Sequence, residues 1–266
     1  MSKKPIMVTT DEGGPTGTFD IASISSTPDK TYSATTQLGA TEAGVFFKPD
    51  GTKMYCTISS VIYQYTLSTA WDVSTASYDS VSGTASGTIK TGPFIDASGT
   101  RVFYGSNSAV IYQDKLTTAW VVSSIASDKS KTFSTSDIET SRTLTVKDDG
   151  TKIITYDDKY GAGNTKEITG IDMSTAWDIT SASVDSNSQV VTGNEVCHTK
   201  ADGTRVWTGK SSIEQWDLST PWDTSTATLD ATKTVTFTNW KGFFVDPNGD
   251  NVYTVDNGVV NQYYMT

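Results

Sequence analysis

Short apolar runs alternate with turn residues at a regular interval along this chain. "GVFF" (44–47), "TKMYCTI" (52–58) and "VIYQYTL" (61–67) are separated first by Pro-Asp-Gly and then by a Ser-Ser pair. Runs this short, rich in β-branched and aromatic residues, predict strands rather than helices. Asp-Gly supplies the positive φ that a tight reversal between two strands needs. "STAW" follows, and then a more polar stretch, "DVSTASYDSV" (72–81). Four strands in succession, a to d from inside outward, form one blade of a β-propeller.

The unit recurs. "FFKPDGTKMY", "FIDASGTRVF", "LTVKDDGTKII", "HTKADGTRVW" and "FFVDPNGDNVY" carry turn glycines at Gly51, Gly99, Gly150, Gly203 and Gly249. Their spacing is close to the roughly 40–50 residues of known propeller repeats. A second phrase, "LSTAWDVSTAS" (67–77), returns as "LTTAWVVSSIAS", "MSTAWDITSASVD" and "LSTPWDTSTATLD". It places Trp71, Trp120, Trp177 and Trp222 at the c–d link, where a large ring can fill the space between blades. Asp72, Asp178 and Asp223 follow the ring, each suited to capping a turn through its own side chain. Val121 stands in that position in the second copy, so the Asp is helpful rather than obligatory.

The fifth copy of this phrase is displaced. The last repeat stops at Thr266, opposite Ser68 of the first, before its outer strand. The missing phrase begins at Gly17 as "GTFDIASIS", with Phe19 and Asp20 in the Trp-Asp roles. The N-terminal region is therefore expected to supply strand d of the C-terminal blade, a clasp that removes the exposed edges of an open array. The predicted fold is all-β: a single five-bladed propeller over 17–266, preceded by an arm of residues 1–16. The expected blades are about 41–82, 88–133, 140–187, 191–233, and 238–266 completed by 17–36.

Composition agrees with this fold and narrows the function. The 266 residues carry a net charge of −10, and Thr, Ser, Gly, Val and Tyr are abundant. Such an acidic chain is not expected to bind nucleic acid, which calls for a basic stripe against phosphates. No apolar run approaches a membrane span, so no membrane insertion is expected. The start, "MSKKPIMVTTDEGG", has no apolar core of the secretory type. Two cysteines far apart, Cys56 and Cys197, do not suggest a disulfide scaffold; Cys197 is read as a buried structural thiol and Cys56 as a strand-b residue without a basic cluster to activate it, in a protein made and left reduced in a cytosol.

Chemistry-bearing motifs are few. His198, the only histidine, falls in register with Phe46, Phe94, Thr145 and Phe244, which predicts a packing or channel-facing residue and leaves no two-histidine metal site. "DPNGDN" (246–251) imitates half a calcium loop but lacks the glycine and glutamate of that motif; its counterparts are hairpin turns. "GAGN" (161–164) has neither a Walker pattern nor a following helix to hold phosphate. No metal and no cofactor are expected. Gly150 and Trp177 lie 27 positions apart, against 19 to 21 in the other complete copies. The excess falls between strands b and c, where Asp157, Asp158, Lys159, Tyr160 and Asn164 form a candidate ligand or contact loop. A surface elongation without function is the other reading. The strand-a cores contain no acid; Glu42, Glu139 and Glu195, just before them, are the loose candidates for a glycosidase-like centre. A catalytic site is not expected.

The repeat "PDGTKMY…IYQYTLSTAWDVSTASY" resembles a β-propeller repeat of tailed-bacteriophage virion proteins of the tail-fibre and adhesion type. The likeness runs from about residue 17 to the end and is weakest in the third blade, "EITGIDMSTAWDIT". The Trp-Asp pair also resembles WD-repeat propellers, but their Gly-His partner is missing and the pair follows strand c. The phage resemblance implies a non-enzymatic virion component, displayed outside the particle as a decoration or fibre module. Lys3, Lys4, Ile6 and Val8 of the arm are then candidate anchors to a capsid or tail subunit. A carbohydrate-binding adhesin recognising host-surface glycans is the alternative, and a glycosidase-like propeller the weaker one.

Overall fold

The computed structural model describes residues 17, 19–39, 43–159, 165–192, 195–209, 212–234 and 240–265. Five antiparallel four-stranded sheets form a five-bladed ring. Blade 1 contains Gly44–Phe47, Lys53–Ile58, Val61–Leu67 and Ala76–Thr84. Blade 2 contains Phe94–Ile95, Arg101–Gly105, Val110–Leu116 and Ile125–Thr132. Blade 3 runs Ser141–Val146, Lys152–Lys159, Thr165–Met173 and Ala182–Val190. Blade 4 runs Val196–Thr199, Arg205–Gly209, Ser212–Leu218 and Ala227–Thr234. Trp240–Val245, Asn251–Asp256 and Val259–Tyr264 make three strands of blade 5, and Lys30–Ser33 supplies the fourth.

The clasp is thus where the repeat places it, with one difference. In blades 1 to 4, strand d starts immediately after a one-turn 3-10 helix; Val73–Thr75 runs straight into Ala76–Thr84. The displaced phrase forms the equivalent helix, Ile21–Ser23, but pairing begins only at Lys30. Lys30 faces Gln262 as Val81 faces Gln64, so only the second half of the usual outer ladder is present. Asp29 tethers the other half, accepting from the Tyr264 N–H at 2.9 Å.

The two repeated phrases prove to be halves of one device. Each c–d aromatic lies in the left-handed region, with φ between 53° and 66° for Phe19, Trp71, Trp120, Trp177 and Trp222. That conformation is costly for a bulky residue, and it lays the ring flat on the a–b turn glycine of its own blade. A Cβ on Gly51 would sit 2.5 Å from the Trp71 ring, and the four equivalent pairs are as close or closer. The Trp71 N–H donates to the Gly51 carbonyl at 3.1 Å, and Trp120, Trp177 and Trp222 repeat the bond. The ring also reaches the preceding blade: Trp71 stacks near Phe244, and Tyr253 Oη donates to the Trp71 carbonyl at 2.7 Å. Asp72, Asp178, Asp223 and Asp20 each accept a backbone N–H two residues on, capping the 3-10 turn, while Val121 makes no such cap.

A second inter-blade bond was not anticipated from the sequence. Gln262, Gln64, Gln113 and Gln215 on strand c present Oε1 to the first N–H of the next blade's 3-10 turn: Val73, Val122, Ile179 and Ile21. Blade 3 has Gly170 in that register, and a Cβ there would meet the Asp185 carboxylate at 2.4 Å.

Candidate functional site

The five a strands surround an axial channel, and in-register positions make rings of five side chains. Phe46, Phe94, Thr145, His198 and Phe244 form its waist. Toward the a–b turns the channel widens into a funnel of about 360 Å³, rimmed by Pro49, Ala97, Asp148, Ala201 and Pro247. On the other side of the waist a small void continues between Thr91, Thr143, Cys197 and Phe243. The waist is closed by rings in edge contact: Phe46 lies 5.8 Å from Phe94 and 5.5 Å from Phe244, and Phe244 lies 4.8 Å from His198.

The funnel is two-sided. Blades 5, 1 and 2 contribute Phe244, Phe46, Phe94 and the two prolines. Blades 3 and 4 contribute Thr145, Asp148, His198, Thr199, Lys200 and Asp202. His198 is channel-facing, one of the two readings its register allowed. Burial pushes its imidazole down to about 4, against an opposing bond to the Val245 backbone, so it is neutral at pH 7. Thr199 is 2% exposed, and its Oγ1 has no hydrogen-bond partner. Asp148 is exposed at the rim. The neighbouring turn acids are tied locally: Asp149 to Lys147, Asp50 to Lys48 and Asp202 to Lys200, all at 2.6–2.7 Å. The Lys147 hydrogen bond, with that of Thr151, draws Asp149 down to about 2. Lys200 also lies over the Phe19 ring, 4.6 Å from its centroid.

The opposite mouth carries charge. Three residues before the waist position, blades 3, 4 and 5 place Arg142, Glu195 and Lys241. Glu195 bridges the other two, with Arg142 Nη1 at 3.2 Å and Lys241 Nζ in direct contact. Arg142 also binds Asp158 at 2.7 Å, and Lys166 joins Asp158 at 3.0 Å. Of the three loose acid candidates, Glu195 is built into this cluster. Glu139 offers its backbone N–H to Asp157 at 3.0 Å, and Glu42 lies outside the described residues.

The expected contact loop needs correction. Asp157, Asp158 and Lys159 are strand residues, paired in order with Glu167, Lys166 and Thr165, so the extra length of blade 3 has lengthened its b–c hairpin. Asp157 is fully buried and accepts from Glu139 and Thr140 N–H groups; burial raises its carboxyl above the usual range despite those bonds. Asp158 is 1% exposed within the ion cluster, and Lys159 pairs with Glu167 at 2.8 Å. Tyr160, Asn164 and the "GAGN" segment lie outside the described residues, as do the arm residues Lys3, Lys4, Ile6 and Val8. The Asp246 carboxylate of "DPNGDN" accepts from Asn248 and Asp250 N–H groups at 3.1 and 3.0 Å, so it serves the turn itself. Among the described residues no cluster of His, Cys, Asp and Glu has metal-ligand geometry. Both cysteines are buried, and burial pushes the Cys197 thiol up to about 12, which makes it a poor nucleophile at neutral pH.

The funnel and ion cluster had a readable signal: aligning the five a strands one above another displays both rings. Arg142 and Lys241 stand in the same register as Glu195, three residues before the waist. No protein-family model matches the chain, and no curated protein matches it.

Proposed function

We propose that this protein is a non-enzymatic component of a tailed-bacteriophage virion, a closed ring held through its N-terminal arm and displayed on the particle surface. The observation that carries the reading is the point at which the chain joins the ring. The Gly17 N–H donates to the Asn248 carbonyl at 3.0 Å, in the a–b turn of blade 5. Residue 17 therefore lies at the a–b turn face. That arrangement suits a ring whose a–b face turns toward a capsid or tail subunit and whose opposite face, with the d–a links and the long b–c hairpin of blade 3, turns outward.

The state of the ion cluster supports a role without catalysis. Asp158 and Glu195 are both committed to cations, whereas glycoside hydrolysis calls for one carboxyl of a pair to protonate the leaving oxygen. The experiment is deletion of residues 2–14 in the producing phage, followed by imaging of purified particles. The expected result is a folded propeller with an unchanged melting temperature that is missing from particles. Normal incorporation of the deleted protein overturns the proposal. The glycan-binding adhesin is the second reading, favoured by the projecting blade 3 hairpin on the outward face, and a glycan array with the full chain tests it.

A further inference from the structure

The funnel on the a–b face has the volume and the walls of a small-ligand site, which in general is an apolar concavity of a few hundred Å³ with a few placed polar groups. At about 360 Å³ it holds a group of the size of a substituted aromatic ring. Three features select the ligand. Phe46, Phe94 and Phe244 line one half, and their π faces attract a cation as well as an apolar stem. Among the described residues, the charged side chains lining the mouth are Asp148, Asp202, Asp246 and Lys200, in a chain of net charge −10. Lys200 is bound to Asp202 and lies over Phe19, and Asp246 holds its turn, which leaves the Asp148 carboxylate to face an incoming charge. At the waist two blades depart from the pattern of the other three. Thr145 and His198 occupy waist positions that hold phenylalanine in blades 1, 2 and 5.

We propose that this funnel is a binding site for an ammonium group carried on an apolar stem, its charge beside Asp148 and its stem among Phe46, Phe94 and Phe244. The inference rests on the cavity alone and holds wherever the protein resides. A free amine and the lysine side chain of another protein share this chemistry.

The test uses the full chain, with calorimetry and total tryptophan fluorescence as readouts. Phenethylammonium is compared with phenethyl alcohol and 3-phenylpropanoate, near-isosteres with no charge and with the opposite charge. The expected order is cation, then neutral, then anion, with the cation preference weakening as salt is added. Asp148→Asn, at an exposed position that leaves the fold intact, should lower the cation's affinity about two- to fivefold and leave the alcohol unchanged, the scale of an exposed ion pair. Thr145→Phe, which restores the residue of three other blades and adds a whole ring, should narrow the funnel and weaken binding of all three. Nα-acetyl-lysine N-methylamide is titrated alongside: tighter binding than phenethylammonium identifies a polypeptide lysine as the source, weaker binding a free amine. Equal affinity for cation and alcohol, an unchanged preference in Asp148→Asn, or absence of cation binding to the wild type overturns the proposal.

Discussion

Gln215 on strand c of blade 4 accepts a hydrogen bond from the Ile21 N–H at 3.3 Å, joining positions 194 residues apart. The same side chain accepts from Trp207 Nε1 at 3.0 Å and donates to Asp230 at 2.6 Å. It therefore fastens the displaced N-terminal phrase to the neighbouring blade while its own bonds hold it in place. A buried donor that loses its acceptor costs about 1–3 kcal/mol. Gln215→Ala orphans two such donors, so a loss of about 2–4 kcal/mol in urea unfolding is expected, with little change at residues far from the clasp by hydrogen exchange. A loss below about 0.5 kcal/mol would show that the glutamine latch does not hold the ring closed.

The Gly203–Trp222 pair makes a steric prediction. A methyl group at Gly203 would lie 2.0 Å from the indole, at a φ of +74°. Gly203→Ala should cost about 2–4 kcal/mol, combining backbone strain with displacement of the ring. Gly39→Ala is the control, since Gly39 has φ of +61° with nothing within 4 Å of the added methyl. Its ψ of −161° places it in a region nearly confined to glycine, so backbone strain alone should cost about 1–3 kcal/mol. Chemical denaturation of the two variants separates clash from strain.

Blade 2 provides the reverse case. Val121 precedes a 3-10 turn with no side-chain cap, where Asp72, Asp178, Asp223 and Asp20 cap the equivalent turns. Val121→Asp should raise stability by about 0.5–1 kcal/mol, the usual value of such a cap. A thermal melt suffices to check it.

Glu195 sits between two cations, with side-chain exposures of 8–10% for Glu195, Arg142 and Lys241. Removing one partner of a buried pair typically costs about 3–5 kcal/mol, because the other charges stay buried without compensation. Glu195→Gln should fall near that range in equilibrium unfolding. The double variant Glu195→Gln, Lys241→Met, which leaves Arg142 paired with Asp158, should recover much of the loss, and failure to recover would mean that the cluster contributes beyond charge pairing.

His198 gives the fold a pH dependence. Its pKa falls from 6.5 to about 4 on folding, through burial. Above the unfolded value both states are neutral and the histidine adds no dependence. As pH falls from 6.5 towards 4 the unfolded chain takes up a proton that the folded protein refuses, so stability falls by up to about 1.4 kcal/mol per pH unit. The loss is complete below the folded value and totals on the order of 3 kcal/mol. Comparing the wild type with His198→Phe at pH 7 and pH 4 isolates the effect, because the carboxylates titrate in both. The difference should shift by about that amount in favour of the variant; a constant difference would mean that His198 is solvated.

Much of this molecule was legible in its sequence. The turn glycines 51, 99, 150, 203 and 249 and the aromatics Phe19, Trp71, Trp120, Trp177 and Trp222 announced five blades and a clasp, because each is forced by a local demand for positive φ or a flat ring. The glutamine latch was present in "IYQ", "IYQ", "IEQ" and "VNQ", yet its partners lie one blade away, so the residue type alone gave no sign of its bond. Asp157 and Asp158 looked like loop acids because strand b is only five or six residues long in the other blades. Only the observed pairing of Lys152–Lys159 turned them inward.

What the sequence determined by itself was the blade: alternation, turn chemistry and capping act over a few residues and repeat wherever their words repeat. What the tertiary structure decided was everything on the axis. The waist of Phe46, Phe94, Thr145, His198 and Phe244 and the Arg142–Glu195–Lys241 cluster take one residue from each contributing blade, dozens of positions apart, and the funnel takes several from each. Whether a threonine or a histidine there leaves a cavity or fills one depends on which side chains stand across the channel. That is a property of packing around a closed ring, set only once all five a strands are in place.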